Sequence, residues 1–268
     1  MAGAGAERPV MSRALRHSGH VALRHVRRLL RQPAWVAVTL IQPMIWLLLF
    51  GALFKSVTKI PGFHGGSYIE FLTPGVVIMT AISSAGWSGM AFIDDMRSGV
   101  MERMLASPVW RGSLNLGALA YISLTTIVQS LIIVFVGLAV GAHFPNGLGG
   151  VLVLILVACM VSATISGLSN ALALVVRQEE TLIASVTSII LPLTFLSSAV
   201  MQASLAPNWI QDVSRFNPVN WAAQAGRTAA LGGADWSYVG ERIGLLAVLL
   251  LLSTFLATRA FRAYPRSL

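Results

Sequence analysis

The chain has 268 residues, 56% hydrophobic and 11% charged, with a formal net charge of +9. That balance leaves room for one polytopic helical domain and excludes a sizeable soluble one. The basic residues gather at the borders of apolar stretches, which points to lipid headgroups rather than nucleic acid.

The segment before the first apolar run spaces Arg13, Arg16, His20, Arg24, Arg27 and Arg31 every three or four residues. Leu15, Ala22, Val26, Leu29 and Leu30 line the other side, with Val21 off the pattern. A basic face against an apolar face predicts a helix lying at the cytoplasmic headgroup level; the alternative is a plain topology signal. Arg16, Arg24, Arg27 and Arg31 are its principal headgroup contacts. His17, His20 and His25 have no acidic or Cys companion, so no metal site is expected. Pro33 ends this helix.

Six charge-free runs follow: Ala34–Phe54, Phe71–Ile93, Leu114–Gly141, Leu148–Val176, Leu182–Met201 and Ile243–Thr258. A hydrocarbon core of about 30 Å needs about 20 helical residues, so each run is read as a membrane span. The first is not read as a signal peptide, being too long for an apolar signal core and lacking a small-x-small site at Ala52-Leu53-Phe54-Lys55. The domain plan is a cytoplasmic N-terminus over 1–33, a permease domain over 34–260 and a cytoplasmic tail over 261–268. Fourteen Lys and Arg fall on the side of both termini and five on the other, which predicts cytoplasmic termini.

Pro43 and Pro192 predict kinks in spans one and five. Ala81, Ala85 and Gly89 in span two, and Gly137 and Gly141 in span three, predict close helix approach. Cys159 reads as a buried packing residue. Gln42, Gln129 and Asn170 are the polar side chains at depth; they either line a route or hydrogen-bond between helices.

Two connections stand out. In Asp94–Gly112, Val100, Met101, Met104 and Leu105 share one helical face while Glu102 and Arg103 point elsewhere, and Ser107-Pro108 ends the turn. An apolar face there wants a protein partner or dips into the membrane interface. A shorter element, Arg177–Thr181, joins spans four and five. The external stretch Gln202–Gly240 is too long for coil and carries two proline-led helical patterns, Pro207–Phe216 and Pro218–Leu231. Trp209, Ile210, Val213 and Phe216 fall on one face, and Asn217-Pro218 caps and starts the second helix. The pair reads as an external gate in the outer leaflet (Trp209, Phe216, Asn217 and Pro218) or as a folded surface cap.

Three segments together resemble a known family: Tyr68-Ile69-Glu70-Phe71-Leu72-Thr73-Pro74-Gly75; Val100-Met101-Glu102-Arg103-Met104-Leu105-Ala106-Ser107-Pro108-Val109; and Leu191 to Ser198 with Phe216-Asn217-Pro218-Val219. They are similar to permease subunits of type-2 ABC exporters of the daunorubicin-resistance and nodulation-factor type, over about residues 15–265. The resemblance implies an all-α, six-span half-transporter in the cell membrane. It implies a dimer with a second permease copy or paralogue and a separate ATPase subunit carrying ATP and Mg. It makes Val100, Met101, Glu102, Arg103, Met104 and Leu105 the ATPase-coupling helix and the external pair short re-entrant helices. It also implies an amphipathic drug, polyketide, lipid or lipid-linked glycan as substrate. The residues agree on energy source. A phosphate-binding Walker loop needs Gly-Lys, and the two lysines, Lys55 and Lys59, follow Phe54 and Thr58. No cofactor is expected in this chain. An ion-coupled carrier or channel is disfavoured by charge-free spans. An intramembrane enzyme lacks a base at depth.

Overall fold

A computed structural model describes residues 33–56, 66–101, 103, 112–233 and 235–263. Every regular element among them is helical. Arg16, Arg24, Arg27, Arg31, Glu102, Met104 and Leu105 lie outside the described residues, as does the tail beyond 263.

Helix α1, Pro33–Ile45, runs into a π turn at Trp46–Phe50 and a last α turn at Gly51–Leu53. The π turn begins three residues after Pro43. A proline in a helix removes a backbone bond, and a π bulge is one way the ladder closes again. Helix α2, Tyr68–Gly86, passes through a 3-10 turn, Trp87–Gly89, into α3, Met90–Arg97. Then come α4 (Gly112–Ala139), α5 (Gly147–Val176) and α6 (Glu179–Phe195). Two short helices, α7 (Asn208–Ser214) and α8 (Pro218–Ala230), precede α9 (Trp236–Ala263).

Four of these are long and apolar enough to cross a membrane: Tyr68–Arg97, Asn115–Ala139, Gly147–Val176 and Trp236–Phe261. Val38–Leu53 is a shorter apolar helix. The last long helix starts at Trp236 rather than Ile243, because Ser237 and Tyr238 N–H groups are capped by Asp235. Run five stops being helical at Phe195 rather than Met201, and the next residues form an irregular segment.

Helix α5 is the centre of the bundle, packed by α2, α4, α8 and α9. The close approaches read from small residues occur. Ala81 and Ala85 are buried, and a Cβ on Gly137 would sit 2.9 Å from Thr73 Oγ1. Gly141 instead has φ 102° with open space around it, so it serves the turn after α4 rather than packing. Cys159 is half-buried, with Sγ 3.6 Å from the Ser123 carbonyl.

The buried side chains form two apolar cores. The larger includes Phe71, Leu72, Ile78, Leu154, Ala199 and Val219. The smaller includes Phe92, Ile93, Met101, Leu174, Leu182 and Phe261, with Phe92 and Phe261 edge to face at 5.1 Å. The first is called the external block and the second the cytoplasmic block, after the orientation expected from the basic residues.

Candidate functional site

The external block is organised around a broken chain. After Phe195 the backbone leaves the helix, yet Ser198 and Ala199 are buried. Buried peptide groups outside a helix must find other partners, and at membrane depth water does not supply them. Here side chains do. Asn217 Nδ2 donates to the carbonyls of Leu193 (2.7 Å) and Leu196 (2.9 Å), while its Oδ1 accepts from Val219 N–H and so caps α8. Asn220 Oδ1 accepts from Ser198 N–H at 3.0 Å, and its Nδ2 donates to the Ser214 carbonyl. Tyr68 donates its hydroxyl to the Val200 carbonyl at 3.0 Å.

Arg227 completes the clasp. It donates to the carbonyls of Ser198 (2.8 Å), Ala199 (3.3 Å) and Phe71 (3.2 Å). Its guanidinium carbon lies 3.6 Å from the centroid of the Phe71 ring. Among the described residues it bonds to carbonyl dipoles and stacks on an aromatic face, with no carboxylate among these contacts. A planar five-donor cation suits this, since it spreads its charge over several acceptors and stacks on a ring. The same approach demands glycine at 75, where a Cβ would stand 1.8 Å from the Ala199 carbonyl oxygen. Span two, the broken end of α6 and α8 are thereby joined at one point.

The start of α2 adds a second tie. Ser67 and Glu70 form a capping box, and Glu70 Oε1 also accepts from the backbone N–H of His143 at 3.2 Å.

The sequence singled out Asn217 as a helix cap and gate residue, and the structure places it in the clasp. Asn220 and Arg227 went unremarked there. A signal for them existed: they fall seven residues apart on a helix whose other inward positions are mostly Ala and Gly, so two polar groups share a buried face. Pro218 begins α8.

Helix α7 and its flank look the other way. Trp209 is 61% exposed, Val213 45% and Phe216 82%, while Ile210 is half-buried. Asp212 and Arg215 are exposed as a pair at 3.7 Å. Trp209, Val213 and Phe216 are uncovered in the single chain, and so are Asp212 and Arg215, so exposure does not set an apolar side of this helix apart from a polar one.

At the cytoplasmic end, Val100 and Met101 begin a further helical segment. Met101 is 1% exposed and packs in the smaller core, so its apolar group already has a partner within the chain. This corrects the expectation that Val100, Met101, Met104 and Leu105 together present one uncovered face. Val100 is half-buried and Arg103 exposed. Arg97 and Glu179, from the two cytoplasmic connections, form an ion pair at 2.7 Å. Arg177 takes φ 58° to close α5, and α6 starts two residues later.

The polar residues at depth divide. Gln42 is exposed on α1. Gln129 is buried, accepting from Ser84 Oγ (3.0 Å) and donating to Thr39 Oγ1 (3.3 Å). Asn170 is buried, accepting from Ser88 Oγ (3.0 Å) and donating to Asn115 Oδ1 (3.3 Å). The last two are interhelical ties in this chain and reach none of its surface. No cluster of three or more His, Cys, Asp or Glu able to hold a metal occurs among the described residues.

Comparison with known proteins bears on this architecture. Residues 19–231 match the ABC-2 type transporter family. A putative transport permease, ycf38, of Porphyra purpurea is 26% identical over 247 residues, covering 87% of this chain and 84% of the relative. A daunorubicin resistance ABC transporter permease protein, DrrB1, of Streptomyces coeruleorubidus is 27% identical over 234 residues, covering 86% and 80%. The inner membrane transport permease YadH of Escherichia coli K12 is 26% identical over 223 residues, covering 80% and 83%. A charge-poor helical bundle matched over most of its length by one family has one reading. The chain belongs to the ABC-2 type transporter family and is the transmembrane subunit of an ATP-binding-cassette exporter.

Proposed function

We propose that this permease is a six-span half-transporter of the cell membrane with both termini in the cytoplasm. It pairs with a second permease, its own copy or a paralogue, and a separate ATPase subunit supplies ATP and Mg. The observation that carries the energy source is the absence of any Gly-Lys pair in the sequence, so no Walker loop can form here. α1 and α6, each shorter than the four long helices, supply the fifth and sixth crossings. Helices α7 and α8 lie partly in the outer leaflet, where Trp209, Val213 and Phe216 meet lipid.

The ATPase engages the first cytoplasmic connection through Met104 and Leu105, with Glu102 and Arg103 at the rim. Met101 anchors that connection to the bundle. The N-terminal basic helix, through Arg16, Arg24, Arg27 and Arg31, lies against anionic headgroups and flanks the same contact. Gln42, exposed on α1, is the polar group best placed to meet substrate. The substrate is an amphipathic drug, polyketide, lipid or lipid-linked glycan, and the daunorubicin-resistance relative favours the drug or polyketide class.

The test is Met104→Asp with Leu105→Asp. The double variant is expected to release the ATPase while the spans stay folded, read by co-purification and thermal unfolding. A complex that stays whole and transports normally contradicts the assignment.

A further inference from the structure

Between the two apolar cores, small polar side chains interrupt span two, α5 and α9, while Ile190 of α6 packs against both cores. In α5 the external core ends at Ile165 and the cytoplasmic core begins at Ala173; Ser166, Ser169 and Asn170 stand between them, all buried. In span two the cores are separated in the same way, by the 3-10 turn Trp87–Gly89 between Ala85 and Phe92. In α9, Ser253 sits between Leu246 and Phe261, and a Cβ on Gly167 of α5 would stand 3.1 Å from its Oγ.

The turn in span two is held by one foreign hydroxyl. In an unbroken helix the Gly86 carbonyl would accept from the N–H of Met90. Met90 N–H bonds to the Trp87 carbonyl instead. Ser169 Oγ donates to the Gly86 carbonyl at 2.6 Å and accepts from Gly89 N–H at 3.2 Å. A side chain of α5 has entered the ladder of its neighbour, a recognised cause of a helix break. Beside it, Ser88 Oγ bonds Ser166 Oγ (2.8 Å) and Asn170 Oδ1 (3.0 Å). The fit admits no side chain: a Cβ on Gly89 would lie 2.6 Å from the Ser169 carbonyl oxygen.

We propose that span two is jointed at Trp87–Gly89, that the polar layer is the plane on which the cytoplasmic block tilts against the external block, and that Ser169 is the positioning residue that sets the angle. A short 3-10 stretch inside a long helix commonly marks a hinge. Short hydroxyl and amide groups can exchange partners across such a plane without exposing apolar area, whereas interlocked apolar side chains cannot slide freely. Asn115 Nδ2, buried and without a hydrogen-bond partner among the described residues, stands at the edge of this layer. In the transporter reading the joint passes movement of α3 and the first cytoplasmic connection to the clasp. The joint itself is measurable without an ATPase or a substrate, so its failure is distinct from failure of that reading.

The experiment uses the full chain in lipid nanodiscs, with Cys159→Ser and two spin labels. One pair spans the joint, at Asp94→Cys and Leu148→Cys; a second lies within the external block, at Leu124→Cys and Leu148→Cys. Ser169→Ala is expected to broaden the distance distribution across the joint about twofold while leaving the pair inside the block unchanged, because only the ladder contact is lost. Ser169→Thr, which keeps the hydroxyl, restores the narrow distribution. Gly89→Ala, which forces the two backbones apart, shifts the cross-joint distance and serves if Ser169→Ala folds poorly. Unchanged widths in both pairs overturn the proposal, and so does equal broadening of both, which would make Ser169 a general packing residue.

Discussion

The two blocks are held by different physics. The external block is crossed by directed bonds from sequence-distant groups: Arg227 reaches span two and the end of α6, Asn217 and Asn220 grip the same broken segment, and Glu70 ties α2 to the turn before α5. Among the described residues, the cytoplasmic block shows a smaller apolar core and the Arg97–Glu179 ion pair. Directed bonds at low dielectric fix geometry, since an unmade one is costly. A small apolar core with an exposed salt bridge holds its parts less tightly. This difference is in keeping with the proposal that the cytoplasmic end takes up a push from the ATPase and the external end keeps a shaped exit.

The largest test of that contrast is Arg227→Met. It strips donors from three carbonyls and removes the cation from the Phe71 ring, and is expected to cost about 4 kcal/mol. Arg227→Lys keeps the charge without the fork and falls in between. Thermal unfolding in detergent reads both, and a Met variant as stable as the native chain would show that the clasp carries no energy. Gly75→Ala drives a methyl into the Ala199 carbonyl and is expected to cost about 3 kcal/mol, near the upper end for overpacking. Limited proteolysis should then cut first in the 196–202 segment; first cleavage at the cytoplasmic end would break the contrast.

On the other side, Met101→Ala opens a cavity in the smaller core at a cost of about 2 kcal/mol. Proteolysis of this variant should begin in the first cytoplasmic connection, with the clasp intact. Because Met101 is buried, substituting it would not separate loss of ATPase contact from loss of fold. The smallest effect is expected at Glu179→Gln, under about 1 kcal/mol and vanishing at high salt, because the Arg97 partner is half-exposed. A salt-independent loss would mean that the pair is more deeply committed than its exposure indicates.

Much of this was legible in the sequence, for a physical reason. Long apolar runs announce themselves by composition, so the span Tyr68–Arg97 as a whole, α4 and α5 lie close to their expected limits. The proline-led patterns predicted α7 and α8 closely, since Pro207 and Asn217-Pro218 fix helix starts locally. What composition cannot show is where an apolar run stops being helical. Leu196 to Met201 is as apolar as the helix before it, and only tertiary partners decide that it breaks. The same holds for the joint. Gly89 read as a small packing residue, and the bond that opens the ladder comes from Ser169, eighty residues away. Polar residues at depth, Gln129 and Asn170, were visible as types but not as roles, because pairing depends on which neighbour faces them.

This chain is the membrane part of an exporter, and the proposal is that another subunit drives it. The direct measurement is Mg-ATP hydrolysis on two samples: the chain purified in mild detergent with its native partners, and the same chain stripped of them. Hydrolysis is expected from the first, carried by a subunit with a Walker loop, and neither binding nor hydrolysis of micromolar ATP from the second. ATP turnover by the stripped chain, or a native complex holding no ATPase, would contradict it.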